Sequence, residues 1–371
     1  MPFLSPKYKR DFSKILLFGI IWLILGLIFL CIEYAALAGI KNQNASKSGI
    51  LITSKIFIFA STSVFFVGCL VGFLEIRFIN KFFVTKSFPT KLLGKFIIYV
   101  VFMLSIMFVF YQLAASIEME TSVFSNIVFE RYKAFFFSIT NISTSVQLGF
   151  SLLLSLLYAE VRDNLGQNVL LNFFTGKYHK PVVEHRTFMF TDMKNSTAIA
   201  EKLGNIKYFK FLRRYYNDLS SAILNHNGEV YQYIGDEIVI SWQNSKKSSA
   251  ENSVNCFFAM QQALLEKRDI YLMEFGVFPE FKAAIHKGEV TVGEIGALKK
   301  EIFFTGDVLN TTARIQNLCA KFKMDLLVSK SVANDLKERN NFIFKNIDNV
   351  VLKGKKNTMS IIGILEKQHK L

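Results

Sequence analysis

The chain has 371 residues, 51% of them hydrophobic and 20% charged, with 39 Phe, 5 Pro and a formal net charge of +15. Such a composition excludes a disordered chain, a collagen-like chain and a small disulfide-stapled scaffold. Four cysteines without metal-ligand spacing make no framework; Cys31 and Cys69 fall inside apolar runs, which leaves Cys256 and Cys319 to a soluble part.

The apolar residues are concentrated at the front. Four uncharged stretches, about 15–32, 56–74, 96–117 and 134–159, each reach the roughly 18 residues a helix needs to cross a bilayer. The sequence therefore predicts an all-α four-helix transmembrane bundle over 1–159. The first stretch is long for a signal peptide and lacks a small-residue cleavage site after it. Lys7, Lys9, Arg10 and Lys14 precede it, and Arg77, Lys81, Lys86, Lys91 and Lys95 crowd the second loop. The third loop has only Arg131 and Lys133 beside Glu118, Glu120 and Glu130, whereas Lys41, Lys47 and Lys55 in the first loop weigh the other way. On balance the positive-inside rule puts the N-terminus and everything after residue 160 on the cytoplasmic side of an inner or plasma membrane. About half of the net charge lies in this first part, so orientation accounts for much of the basic character. No zinc-finger, helix-turn-helix or RNA-recognition pattern is present, and no nucleic-acid partner is expected.

The fourth stretch is unusually polar, with Ser138, Thr140, Asn141, Ser143, Thr144, Ser145, Gln147 and Ser151. Such a helix packs inside a bundle or a dimer, or bonds its hydroxyls back to its own carbonyls. Residues 160–181 read as a helical connector, with Val161, Leu165, Val169 and Phe173 on one stripe and Gly176 and Pro181 as breakers.

From 182 to 371 strands and helices alternate, an α+β or α/β pattern with helices on a sheet. The run 186–193 is a strand ending in Asp192. A helix follows from Ser196. GEVYQYIGDEIVISW reads as two strands joined at Ile234-Gly235-Asp236-Glu237. A helix near 248–268 leads to the strands FKAAIHKGEV and EIFFTG. DVLNTTARIQNLC is helical with Asp307 as a plausible N-cap, and the strand DLLVSK, a helix and a strand-rich end complete the chain.

Asp192 and Asp236 both fall at strand termini. Paired carboxylates there suit Mg²⁺, which binds through one or two carboxylates plus substrate phosphates; a helix cap and a plain turn residue are the bland readings. Asn310 and Arg314, four apart on a helix, share a face and could offer an amide and a guanidinium to a ribose and a phosphate. In LKGK, Lys353 and Lys355 sit beside a strand, where a cation could meet a terminal phosphate.

In this order, FTDMKNST, YQYIGDEIVISW, GDVLNTTARIQ and LKGK resemble the catalytic domain of class III nucleotidyl cyclases, over about 186–366. The membrane half is similar to that of bacterial membrane-anchored members with a short connector. The resemblance implies a ferredoxin-like βαββαβ core. It also implies conversion of ATP, or less often GTP, to the 3′,5′-cyclic monophosphate and pyrophosphate. By position, Asp192 and Asp236 match the two metal aspartates, which would hold two Mg²⁺ or Mn²⁺ per site. One ion would activate the ribose 3′-hydroxyl and the other would neutralise the leaving pyrophosphate. Asn310 matches the ribose-orienting asparagine, and Arg314 the arginine that stabilises transition-state charge. Lys353 matches the lysine on the terminal phosphates, and main-chain groups of Met193 to Thr197 would cradle phosphates at a helix start. In the family these groups come from both protomers, so an obligate homodimer with two equivalent sites is implied. Two positions depart from the pattern. Gln232 stands where ATP-using members carry Lys, and Phe303 where they carry Asp or Thr. Glu301 and Thr305 lie on the same strand face as Phe303 and could stand in. Gln232 can both donate to and accept from adenine, although a flipped amide also suits guanine. The expectation is a membrane-bound adenylate cyclase. Guanylate or dual specificity, a catalytically degenerate nucleotide-binding domain, a receptor or transporter with a regulatory soluble part, and a diguanylate cyclase are the competing readings.

Overall fold

A computed structural model of the protein describes residues 6–38, 53–83, 86–165, 172, 175–244, 249–298, 300–336, 342–355 and 358–367. The chain divides into two compact units, Tyr8–Leu170 and one built on Leu171–Leu371.

The described part of the first unit is built of helices: α1 Pro6–Ala38, α2 Ser54–Leu74, α3 Phe88–Met119, α4 Asn126–Phe136 and α5 Ile139–Leu165. Among the described residues, four spans within it are long and apolar enough to cross a membrane: Arg10–Ile32, Ser54–Phe82, Phe88–Met119 and Ile139–Arg162. Glycines let α1 and α2 pack closely, since a Cβ at Gly68 would lie 2.7 Å from Trp22. Trp22 donates from Nε1 to Ser155 at 2.8 Å, tying α1 to α5.

The fourth stretch is not one helix from 134. It breaks after Phe136, because Ser138 Oγ accepts from the Asn141 amide (3.2 Å) and caps a new helix beginning at Ile139. The second span does not end at the apolar boundary either. α2 runs on through a π-helical turn, Glu75–Ile79, into Asn80–Phe82. That turn buries Glu75, which is 2% exposed, against Lys95, which is 4% exposed, at 2.5 Å. Asn80 and the Tyr99 hydroxyl complete the set, and Lys91 meets Glu160 at 2.9 Å. Buried charges of this kind hold only while each has its partner. In the connector stripe, Val169 and Phe173 lie outside the described residues.

The second unit carries β1 Val182–Met193, α6 Ser196–Asn225, β2 Glu229–Ile234, β3 Glu237–Gln243, α7 Ser249–Leu265, α8 Arg268–Phe275 and β4 Phe281–Ile295. Then come β5 Glu301–Thr305, α9 Asp307–Phe322, β6 Leu326–Ser329, α10 Lys330–Leu336, β7 Phe342–Val351 and β8 Thr358–Glu366. The sheet order is β2-β3-β1-β4-β6-β8-β7, with β5 paired to β4. Its first four strands, β2-β3-β1-β4, have the order of a split βαβ, ferredoxin-like core, as expected. Among the described residues β4 pairs with β6 in parallel, and the other neighbouring strands pair antiparallel. One face packs Met189, Ile240 and Ile285 beneath Phe211 of α6 and Phe257 of α7. On the other face lie Phe188, Phe190 and Val239 with Val308 of α9, then Ala284 and Leu327 with Ile315 and Cys319. By strand alternation Asp192 shares this second face.

Helix α9 differs from the sequence reading in its cap. Gly306 is the N-cap and Asp307 the first helical residue; its carboxylate accepts from Lys355 at 2.6 Å and Thr311 at 3.2 Å.

Candidate active site

The end of β1 and the tip of the β2–β3 hairpin meet. The turn uses Gly235 at φ +62°, where a side chain would be strained. It turns Asp236 back so that its Oδ2 accepts from the Met193 amide at 3.1 Å. Asp192, one residue earlier, lies opposite Lys282 in the β1–β4 register, and its Oδ2 is 3.1 Å from Lys282 Nζ. Three carboxylates crowd here. Burial and then the Asp192 charge push the Asp236 carboxyl above its ordinary value. Burial, then Asp192 and Asp236, push Glu237 up to about 7. Like charges held this close favour a cation among them.

The donor set fits a hard divalent ion. Among the described residues no group of three or more His, Cys, Asp or Glu can hold a metal by itself. Two carboxylates with open positions for phosphate oxygens are the arrangement Mg²⁺ or Mn²⁺ accepts.

Helix α6 starts immediately after this corner, with Asn195 as N-cap at φ +55° and Thr197 exposed in the first turn. The expected phosphate cradle over Met193–Thr197 is narrower than the sequence implies. The Met193 amide is engaged by Asp236 and the Lys194 amide by the Glu280 carbonyl at 2.8 Å, which leaves the amides of 195–197. Lys194 Nζ, in turn, pairs with Asp325 at 2.7 Å.

A second group of residues gathers on α9. Asn310 is exposed and Arg314 half-buried, one turn apart. Gly354, at φ +75° in the β7–β8 turn, lies beneath Arg314; a Cβ there would be 3.5 Å from a guanidinium nitrogen. Lys353 is exposed beside it, while Lys355 is held by Asp307. No hydrogen bond or ion pair among the described residues joins this group to Asp192 or Asp236.

Gln232 and Phe303 are both exposed, Phe303 at 45%. Along β5 exposure alternates, with Glu301, Phe303 and Thr305 outward and Phe304 buried, as strand periodicity requires. The neighbours of Gln232 and Phe303 touch. A register shift between Val230 and Gln232 lets Tyr231 stack on Phe304, centroids 4.5 Å apart, and its hydroxyl accepts from the Phe304 amide at 3.2 Å. Arg186 covers Phe304 at 4.9 Å.

The family model for the adenylate and guanylate cyclase catalytic domain matches residues 179–363. Residues 179–363 belong to the class III nucleotidyl cyclases. The cyclase domain is 32% identical over 177 residues to adenylate cyclase 2 of Rhizobium meliloti, covering 48% of this chain and 49% of that protein. It is 29% identical over 184 residues to an adenylate cyclase of Anabaena cylindrica, 48% of this chain and 36% of that one. The chain thus spans half or less of the length of these curated relatives. A bacterial light-regulated adenylyl cyclase of known structure superposes with a TM-score of 0.51 at 18% identity, over 63% of this chain and 66% of that one, a likeness of fold.

Three residues of the cyclase domain with evident bearing on the site escaped sequence reasoning. Lys282 is 90 positions from Asp192, and only the β1–β4 pairing shows them opposite. Tyr216 of α6 donates to the Gly235 carbonyl and packs on Tyr233, centroids 4.5 Å apart, so it fixes the hairpin that carries Asp236. Tyr231 couples β2 to β5. The bulge that frees it leaves no signal in hydropathy.

Proposed function

We propose that the protein is a membrane-bound adenylate cyclase, a homodimer that converts ATP to 3′,5′-cyclic AMP and pyrophosphate. The observation that carries the reading is the corner where Asp192 and Asp236 converge, with Lys282 3.1 Å from Asp192. Mg²⁺ or Mn²⁺, two per site, fits these two carboxylates; when bound, such ions supply Lewis acidity to the ribose 3′-hydroxyl and offset charge on the triphosphate. Lys282, released from Asp192, turns its ammonium to the phosphates, and the amides of 195–197 receive phosphate oxygens at the start of α6. From α9, Asn310 orients the ribose and Arg314 stabilises the charge that builds on the α-phosphate as the ring closes. Lys353 meets the terminal phosphates. Gln232 reads the base edge and Phe303 packs against the base, the stacked Tyr231–Phe304 pair keeping both in place.

Each site takes its acids from one protomer and its Asn310–Arg314 helix from the other, a reading supported by the lack of any hydrogen bond or ion pair between the two groups among the described residues. Exposed Tyr233, Ile234 and Phe303 give a second subunit apolar surface to cover. The domain plan that goes with this reading is a membrane part to about 159, a connector over 160–181 and the cyclase domain from 182. The excess of Lys and Arg at the N-terminus and in the 77–95 loop supports cytoplasmic placement of both the N-terminus and the cyclase domain in an inner or plasma membrane. Purified full-length protein supplied with ATP and GTP in parallel, under Mg²⁺ and under Mn²⁺, tests the reading. Cyclic AMP as the main product supports it. Cyclic GMP as the only product, or no cyclic product with either metal, refutes the adenylate assignment.

A further inference from the structure

The polar face of α5 lines a cavity. The cavity, about 240 Å³, lies within the helical unit, between α1, α2, α3 and α5, and is closed off in part by Phe135 of α4. Its walls come from the C-terminal halves of α1 and α3 and the N-terminal halves of α2 and α5. They are apolar apart from Ser63, Tyr111 and three groups of α5 at helical spacing, Thr140, Thr144 and Gln147. Two of these are already served, since Thr144 donates to the Thr140 carbonyl at 2.9 Å and the Tyr111 hydroxyl faces the Arg131 carbonyl at 3.5 Å. Gln147 is not. Its Nε2 is buried and has no hydrogen-bond partner among the described residues. A buried amide left unpaired costs about 1–3 kcal/mol, a cost that an acceptor entering the cavity removes. No charged side chain lines the space, so an ionised ligand would lack a counter-charge.

We propose that this cavity binds a small, uncharged lipophilic molecule with one hydrogen-bond acceptor, its apolar body between the four helices and its oxygen on Gln147. A cavity of 150 Å³ takes benzene, so 240 Å³ suits roughly ten non-hydrogen atoms, the size of a medium-chain ketone or alcohol. The site stands on the helical unit alone and does not depend on the cyclase reading.

The test uses full-length protein in lipid nanodiscs and a diazirine-tagged alkyl ketone, with labelled peptides mapped by mass spectrometry. Saturable labelling on α3 and α5 is expected, competed by methyl octyl ketone and not by decane. Ala114→Phe, which fills the space, abolishes it. Gln147→Leu keeps the shape and weakens competition at least tenfold. Should Ala114→Phe fail to fold, Gln147→Leu carries the comparison. Labelling that is unsaturable and spread over outward residues such as Leu93 and Val101 overturns the proposal in favour of bilayer chains filling the space, as does undiminished competition in Gln147→Leu. Labelling is read without nucleotide turnover, so its failure in a protein that still makes cyclic nucleotide refutes the cavity site alone.

Discussion

Replacing Tyr216 by Phe removes one oxygen and tests how the hairpin tip is held. The Tyr216 hydroxyl, pushed up to about 12 by burial and the Asp236 charge, stays protonated at working pH and donates to the Gly235 carbonyl. The tilted ring contact with Tyr233 survives in Tyr216→Phe, so only the hydrogen bond is lost. A neutral hydrogen bond contributes about 0.5–1.5 kcal/mol. Near 1 kcal/mol, placed on the tip that carries Asp236, converts to about fivefold in the population of the tip poised for a divalent ion. The expected result is a half-maximal Mn²⁺ or Mg²⁺ concentration raised about fivefold, with the rate at saturating metal within about twofold of the parent. The assay is a metal titration of cyclic nucleotide formation at fixed nucleotide, run beside a thermal melt. If the melt shifts and the half-maximal metal concentration does not, Tyr216 is only a packing residue and the positioning argument fails.

Lys282→Met should raise the nucleotide KM by about tenfold or more, since a charge-assisted contact contributes roughly 1.5–3 kcal/mol; an unchanged KM would remove Lys282 from the phosphate site. Lys95→Met strands the buried Glu75 carboxylate and should destabilise the helical unit by about 3–5 kcal/mol, seen as lost monodisperse protein in detergent, with recovery when Glu75→Gln is added. His286 gives the acid limb of stability. Burial, then Lys355, with Asp307 opposing and Lys287 adding, holds it down to about 4, while Ser329 takes its Nδ1 at 2.8 Å. The folded state keeps this imidazole neutral, so stability is full above pH 6.5 and falls as pH drops from there toward 4, by about 3 kcal/mol at most. Tryptophan-monitored unfolding of His286→Asn should show a shallower fall over that window.

What the sequence made legible follows period and punctuation. The strand 186–193, the hairpin around Gly235 and the Asn310–Arg314 helix announce themselves through alternation, turn residues and a helical face, and the structure bears each out. Hydropathy alone also locates the four apolar spans. It is blind to capping, and so it ran the fourth span through the Ser138 break. It is equally blind to partners: Lys95 reads as a loop charge at the edge of an apolar run, and the folded bundle pairs it with Glu75. Lys282 shows the same limit in the cyclase domain, because strand register, not local pattern, sets it against Asp192. Asp307 reads as a cap because acids favour that position, yet Lys355, distant in sequence, claims its carboxylate.

Mixing two inactive chains tests the shared site most directly. Asp192→Ala and Arg314→Ala proteins, each expressed alone, should have no cyclase activity, having lost one half of both sites. Coexpressed at equal levels, half of the dimers pair one of each chain, and every such pair assembles a single intact site. About a quarter of the parent rate is therefore expected. Heterodimers isolated with two affinity tags that stay at background would show that acids and arginine act within one chain, and the account would fall.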